Sequence, residues 1–367
     1  MKKVLFLVVA VAAIMFTSCK KEYTIIVQSN NESWGSVEGS GTYTKRTVIS
    51  IGAISNKGYQ FAKWDDGNTE NPRTITIEKN ATYTAVFVEE EPTSTGIFSV
   101  SETQKVNFSP GNLQWSATGS HAVAGGETAA GTWRFAPNQW EIIGADNKNI
   151  SSTYTGWIDL FGWGTSGYNN KYPYMTSSTG SDYGNGENNI AGTNYDWGVY
   201  NAIYHPKTQT TDAPGSWRTL TKDEWVYLLE TRETSSGIRY AKSQVNGVNG
   251  LIIVPDNWNS SIYVLDSINT TTATWMSNVI NAGNWAKIEA IGCVFLPAAG
   301  FRDGTSVEDV GSHGYFWSAT YSYSNGAYGL GFYSSNLSPS NGNYRNDGRS
   351  VRLVRSALIP LAESGGK

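Results

Sequence analysis

Between Tyr321 and Asp347 the chain is built from Tyr, Ser, Asn and Gly, in the string YSYSNGAYGLGFYSSNLSPSNGNYRND. Gly and Asn are poor strand formers, so strand propensity does not account for them here. What these types share is contact chemistry. Tyr covers a large area at little cost in side-chain entropy, while Ser, Gly and Asn adapt their hydrogen bonding. Ala327, Leu330, Phe332 and Leu337 are ordinary core types and are expected to face inward. The residues between them form the expected ligand-contact set: Tyr321, Tyr323, Asn325, Tyr328, Gly329, Gly331, Tyr333, Ser335, Asn336, Ser338, Ser340, Asn341, Asn343, Tyr344, Asn346 and Asp347.

Reactive chemistry finds less support. His121, His205 and His313 are scattered and lack the paired spacing of a metal site. Asp65 with Asp66, and Asp223 with Glu224, fit turn and helix-capping roles. No nucleophile-elbow motif sets a Ser on a strained turn. Cys293, in AIGCVFLP, reads as a small buried hydrophobe. Neither a catalytic residue nor a cofactor is expected. A net charge of -4 without a basic stripe gives phosphates nothing to follow, so nucleic acid is not an expected partner.

The N-terminus begins with Lys2 and Lys3, continues through an apolar run from Val4 to Phe16, and reaches small residues before Cys19. That run is short for a bilayer span and has the layout of a secretory signal over residues 1–18. Phe16-Thr17-Ser18-Cys19 resembles a bacterial lipobox, with Phe in place of the usual Leu. The resemblance implies lipidation of Cys19, a tether over 19–22 and a membrane partner through the lipid, because several acyl chains together hold a protein on a bilayer. With Cys19 acylated, Cys293 has no partner for a disulfide. An outer-membrane lipoprotein, exposed at the cell surface, is the expected setting. Lys20 and Lys21 are not the acidic tag that follows the lipidated Cys in many Bacteroidetes surface lipoproteins, so the membrane face stays open.

The elements that must hold the contact set follow from periodicity. Residues 23–88 alternate in short runs broken by Asn56-Lys57-Gly58 and Asp66-Gly67, which predicts a small all-β module. Within it, Trp64 and Asp65 read as a packed sheet residue and its turn in preference to a ligand site. EEEPTSTG, residues 89–96, has linker composition. Residues 97–355 then form one large domain, and 356–367 a tail. In that domain Thr221 to Glu224 is a capping box, opening a helix with Trp225, Leu228 and Leu229 on one face. A second helix is predicted from Gly283 to Ile291, with Trp285 and Ile288 inward. The stretch from about Gly164 to Gly215 is longer than ordinary connections and is expected to be functional or mobile. The class is α+β, mostly β.

Two family resemblances give these elements a context. GSVEGSGTY, GYQFAKWDDGNTENPRTITI and ATYTAVF resemble the divergent internalin B-repeat, a module that usually serves as a spacer or stalk. VNFSPGNLQW, TWRFAPNQWEIIG, WRTLTKDEWVYLLETR, VFLPAAGFRDG, GYFWSAT and GRSVRLVR resemble the fibrobacter-type major paralogous domain of Bacteroidetes lipoproteins. WRTLTKDEW is also similar to the helix entry of formylglycine-generating enzymes, which implies a C-type-lectin-like fold with ligands at the C-terminal half. Those enzymes need a cysteine pair that this chain lacks, so an activity of that type is disfavoured. Calcium lectins use Glu-Pro-Asn and Trp-Asn-Asp, and the nearest strings here are Trp258-Asn259-Ser260 and Trp64-Asp65-Asp66. Tyr, Ser, Asn, Gly and Asp are all reachable from an AAC codon by changing adenines alone, and in this respect the C-terminal segment resembles the variable proteins of diversity-generating retroelements. The paralogous family also carries Tyr- and Ser-rich strands without that history, and a contact role stands on either origin. The expected function is non-enzymatic binding of an extracellular protein or glycan, with a structural or adhesive surface role as the alternative.

Overall fold

The computed structural model describes residues 21–56, 59–89, 96–176 and 179–357. The expected signal, Cys19, most of the expected 89–96 linker and nearly all of the expected tail lie outside the described residues. The chain divides into two compact units at Pro92 and Thr93. Strand outweighs helix, 42% against 12%.

In the N-terminal unit the alternating runs form two sheets. The larger has Glu22–Ser29 and Ala81–Glu89 parallel at its centre, flanked by Gly41–Thr44 and Tyr59–Trp64. The smaller orders Gly35–Glu38, Val48–Ser55 and Arg73–Thr76. Alternate residues Ile25, Val27, Ile51, Ala53, Ile75, Ala85 and Phe87 are buried, as a period of two requires when one face is packed. Trp64 is fully buried among them, and its indole N–H donates to Glu70 O at 2.9 Å. Asp66 shapes the following turn by accepting from Asn68 N, and it pairs with Arg73 at 2.7 Å. Trp64 is thus a core residue with its polar atom satisfied.

The C-terminal unit is organised around a three-stranded antiparallel meander: His313–Tyr321, Gly326–Tyr333 and Asn336–Tyr344. One face of it carries Phe316, Leu330, Phe332 and Leu337, which pack with Trp225, Leu228 and Leu229. The helix that supplies those three begins where the capping box predicts. The Thr221 hydroxyl accepts from Glu224 N and the Glu224 carboxylate from Thr221 N, and the helix Lys222–Val226 runs into a π-helical turn, Tyr227–Thr231. Arg218 clasps the same Glu224 through both terminal guanidinium nitrogens, at 2.6 and 2.8 Å. The second predicted helix is Ala282–Ala290, with Trp285 and Ile288 buried against the sheet that contains Tyr240–Val245, Val248–Ile253 and Val294–Pro297. Cys293 is buried in that cluster, and desolvation raises its thiol pKa well above the usual value.

The long 164–215 region is fixed by buried polar side chains. Asp196 caps the short helix Trp197–Tyr200 and accepts from both the backbone N–H and the hydroxyl of Thr219. Burial pushes its carboxyl up to about 6. The amide of Asn201 donates to Ser166 O at 2.9 Å and Trp197 O at 3.0 Å, closing the loop on itself. Arg345 reaches from the end of the meander to the carbonyls of Tyr183, Gly186 and Ser324. These bonds give the loop's backbone acceptors the partners that secondary structure would otherwise supply.

Candidate functional site

Pairing across the meander decides which face each expected contact residue occupies. His313, Tyr333 and Asn336 form one row across the sheet, and Tyr315, Gly331 and Ser338 the next. Trp317, Gly329 and Asn341 follow, then Tyr321, Ala327 and Asn343. All of these lie on the face opposite the helix-packed one, since side chains alternate along a strand. The last strand bulges between the rows of Gly331 and Gly329, which accommodates Pro339.

On this face the rings run into one another. His313 stacks on Tyr315 at 5.8 Å and meets Tyr333 at 4.7 Å, and Phe301 sits edge-on to Tyr315 at 5.8 Å. The Arg349 guanidinium lies 4.3 Å from the centre of the Tyr315 ring and 5.4 Å from that of Trp317. Its Nη2 donates to Asp347 at 3.0 Å. Burial outweighs the pairing for both partners, pushing Asp347's carboxyl up and Arg349's guanidinium down. The pair therefore holds the rings from behind, as a stacked cation. Burial likewise raises the Tyr315 phenol, and Arg349 opposes it.

The expected contact residues separate by environment. Tyr323 and Tyr344 are the exposed rings, at 45% and 58%, and Asn325, Ser335 and Ser340 are exposed with them. Tyr321, Tyr333, Asn336, Ser338, Asn341 and Asn346 are half-buried. Tyr328 is also half-buried but belongs to the helix-packed face, with the Lys222 ammonium 5.2 Å from its ring centre. Gly329, Gly331, Asn343 and Asp347 are buried. Ala327, Leu330, Phe332 and Leu337 are buried in the core clusters.

The two buried glycines differ in kind. A Cβ on Gly329 would stand 2.4 Å from the Phe316 carbonyl oxygen, which is fixed backbone. A Cβ on Gly331 would meet the Asn341 amide at 2.5 Å, and that side chain can turn away. At the sheet's tip the Tyr323 ring lies over Gly326, 2.6 Å from where a Cβ would be, so the ring covers strand backbone that glycine leaves bare.

Sequence reasoning missed His313, Tyr315, Phe301 and Arg349. The HGY string is a local signal, with two rings on alternate residues of one strand. Phe301 and Arg349 reach the site only through tertiary packing. Lys242 was missed too. From the neighbouring sheet its ammonium donates to Thr271 O, to Tyr333 O at 2.5 Å and to Ser334 O at 3.1 Å, pinning the turn between the last two strands. Burial pushes its pKa down to about 8. Among the described residues no cluster of His, Cys, Asp and Glu is placed to hold a metal. The arrangement can bury ligand surface against aromatic rings and offer amide and hydroxyl hydrogen bonds at their edge.

Comparison with known families gives two matches. Residues 25–91 are similar to the divergent InlB B-repeat domain, in agreement with the module expected over 23–88. Residues 267–354 match a family described as a domain of unknown function (DUF8237). That second span contains the Ala282–Ala290 helix, the whole meander, and Arg345, Arg349 and Arg352. No curated protein and no solved structure matches the chain.

The glycine geometry yields an expected outcome. Gly329→Ser should lower unfolding stability by about 2–3 kcal/mol through overpacking. Ser340→Tyr, on the exposed bulge, should change it by no more than about 0.5 kcal/mol. Urea denaturation of both variants checks this, and equal stability would contradict the assigned packing.

Proposed function

We propose that this chain is a non-enzymatic, lipid-anchored cell-envelope protein whose C-terminal domain binds an extracellular protein or glycan through the half-buried end of the meander that carries His313, Tyr315 and Tyr333. The observation that carries the reading is the row of His313, Tyr315 and Tyr333 rings flanked by Asn336, Ser338 and Asn341 on a braced sheet. Rigid aromatic anchors beside adaptable polar groups are what contact surfaces use. The B-repeat-like module would act as the stalk. Within this reading the large domain is a C-type-lectin-like member of the fibrobacter-type paralogous family. The capped helix packed on the meander supports that, and an experimental structure that failed to superpose on lectin-like domains would remove it.

Screening the full chain on a glycan array and by pull-down from bacterial and host surfaces should yield a ligand. His313→Ala and Tyr333→Ala should each weaken it at least about tenfold, while Tyr328→Ala, on the other sheet face, should weaken it less. Equal losses in all three, or no ligand in either screen, would reject the assignment.

Anchoring rests on Cys19. Its replacement by Ser should abolish incorporation of labelled fatty acid and release the protein from the membrane fraction. Retention equal to the wild type would sink the lipoprotein reading.

We also propose a retroelement origin for the 321–347 surface. A near-identical template copy, differing almost only at adenines, should then lie near the gene beside a reverse transcriptase. Its substitutions should spare Gly329 as well as Leu330 and Phe332. A complete genome without such a template rejects this origin and leaves a surface of fixed specificity.

A further inference from the structure

A second site lies away from the meander. The antiparallel strands Leu113–Ala122 and Thr128–Phe135 and the loop from Ser166 to Tyr174 enclose a cavity of about 150 Å³. Its walls are aromatic. Tyr172 and Tyr174 stack at 5.1 Å with planes 4° apart, Tyr174 meets Trp115 at 5.7 Å, and Trp115 meets Trp133 at 6.5 Å. Tyr172, 39% exposed, stands at the mouth.

Charge and hydrogen bonding narrow the occupant. No Asp, Glu, Lys or Arg lines the cavity. The one titratable nitrogen heterocycle there, His121, has both ring nitrogens engaged, Nδ1 at 2.9 Å from Gly131 O and Nε2 at 2.7 Å from Asn201 Oδ1. A charged ligand therefore finds no Lys, Arg or carboxylate to pair with, and a metal finds no free nitrogen. Among the described residues, the indole N–H groups of Trp115 and Trp133 and the hydroxyls of Tyr174 and Ser152 make no hydrogen bond within the chain. The Trp115, Trp133 and Tyr174 atoms are not sealed from solvent, and Ser152 is an exposed residue. The residues that line the cavity thus combine flat, electron-rich rings with unpartnered donors. A cavity of about this volume accepts a six-membered ring. A purely apolar ring would leave the hydroxyls and indole N–H groups unsatisfied, at a cost in affinity.

We propose that this cavity binds a single neutral hexopyranose residue, such as the terminal sugar of a glycan. Its C–H face lies on the Tyr174 and Trp115 rings, and its hydroxyls meet the free indole N–H, phenol and serine groups. The site is separate from the meander and does not depend on it.

Titration of the full chain with a panel of neutral methyl hexopyranosides, read by tryptophan fluorescence and saturation-transfer NMR up to about 50 mM, tests the proposal. At least one should bind with a dissociation constant of roughly a millimolar. Tyr174→Ala should weaken it at least about tenfold. Ala129→Leu, which fills the cavity and keeps the rings, should do the same, so that loss of folding in one variant does not decide the result. Tyr333→Ala should leave this binding unchanged. The proposal fails if no sugar in the panel binds, or if binding survives both cavity variants. It also fails if Tyr333→Ala abolishes binding, or if phenol binds where every sugar does not.

Discussion

The architecture of the C-terminal domain depends on hydrogen-bonding a set of buried guanidinium groups. Arg232, Arg302, Arg345, Arg349 and Arg352 are all almost fully withdrawn from water. Taking such a charge out of water is costly unless its donors are used. Among the described residues only Arg232 and Arg349 of this set have a carboxylate partner, Asp256 and Asp347. Arg352 instead donates to the side-chain oxygens of Gln139 and Asn112, and burial pushes it down to about 9. Arg345 and Arg302 bind backbone carbonyls. Arg302, Arg345 and Arg352 thus tie together segments far apart in the chain, whereas Arg349 hydrogen-bonds to Asp347 two residues away and reaches distant segments through its stacked rings. Breaking one tie would add a further unpartnered buried donor to those already there, the Nε atoms of Arg302, Arg345, Arg349 and Arg352.

This explains how a domain with so much irregular chain can present a defined surface. Loops supply acceptors, and the arginines after the meander supply donors in a fixed fork. Asp196 and Asp159 play the converse role, accepting N–H groups where the loops turn inward, and burial raises both carboxyls to about 6. The meander is therefore held on both sides. The helix covers its apolar face, while Arg345 and Arg349 lie against Tyr321, Tyr315 and Trp317 on the other. Rigidity of this kind lowers the entropy lost when a ligand settles on the rings.

Glycine shapes the surface by absence. Gly329 lets the middle strand approach Phe316 O, and Gly331 leaves space that the Asn341 amide fills. Both occur in the same Tyr- and Asn-rich string, yet only one is bounded by backbone. A chain that varied its contact residues would therefore face a strict limit at Gly329 and a loose one at Gly331.

Local rules determined much by themselves. The capping box at Thr221, the helix carrying Trp285 and Ile288, the alternation of the B-repeat-like module and the burial of Leu330 and Phe332 all follow from patterns a few residues long. Steric and hydrogen-bonding preferences at that range do not need the rest of the chain. The sequence also marked the Tyr-, Ser- and Asn-rich segment as unusual for a strand. Which of its residues share a face was decided by strand register and by the bulge at Pro339, because a shift of one residue exchanges the two faces. Tyr328 and Tyr333 look equivalent in the string and lie on opposite sides of the sheet. The partners that complete the sites, Phe301, Arg349 and Lys242 at the meander and Tyr174 beside Trp115 at the cavity, are brought in over long sequence separations. Only tertiary packing could choose them, since no periodicity links residues that far apart.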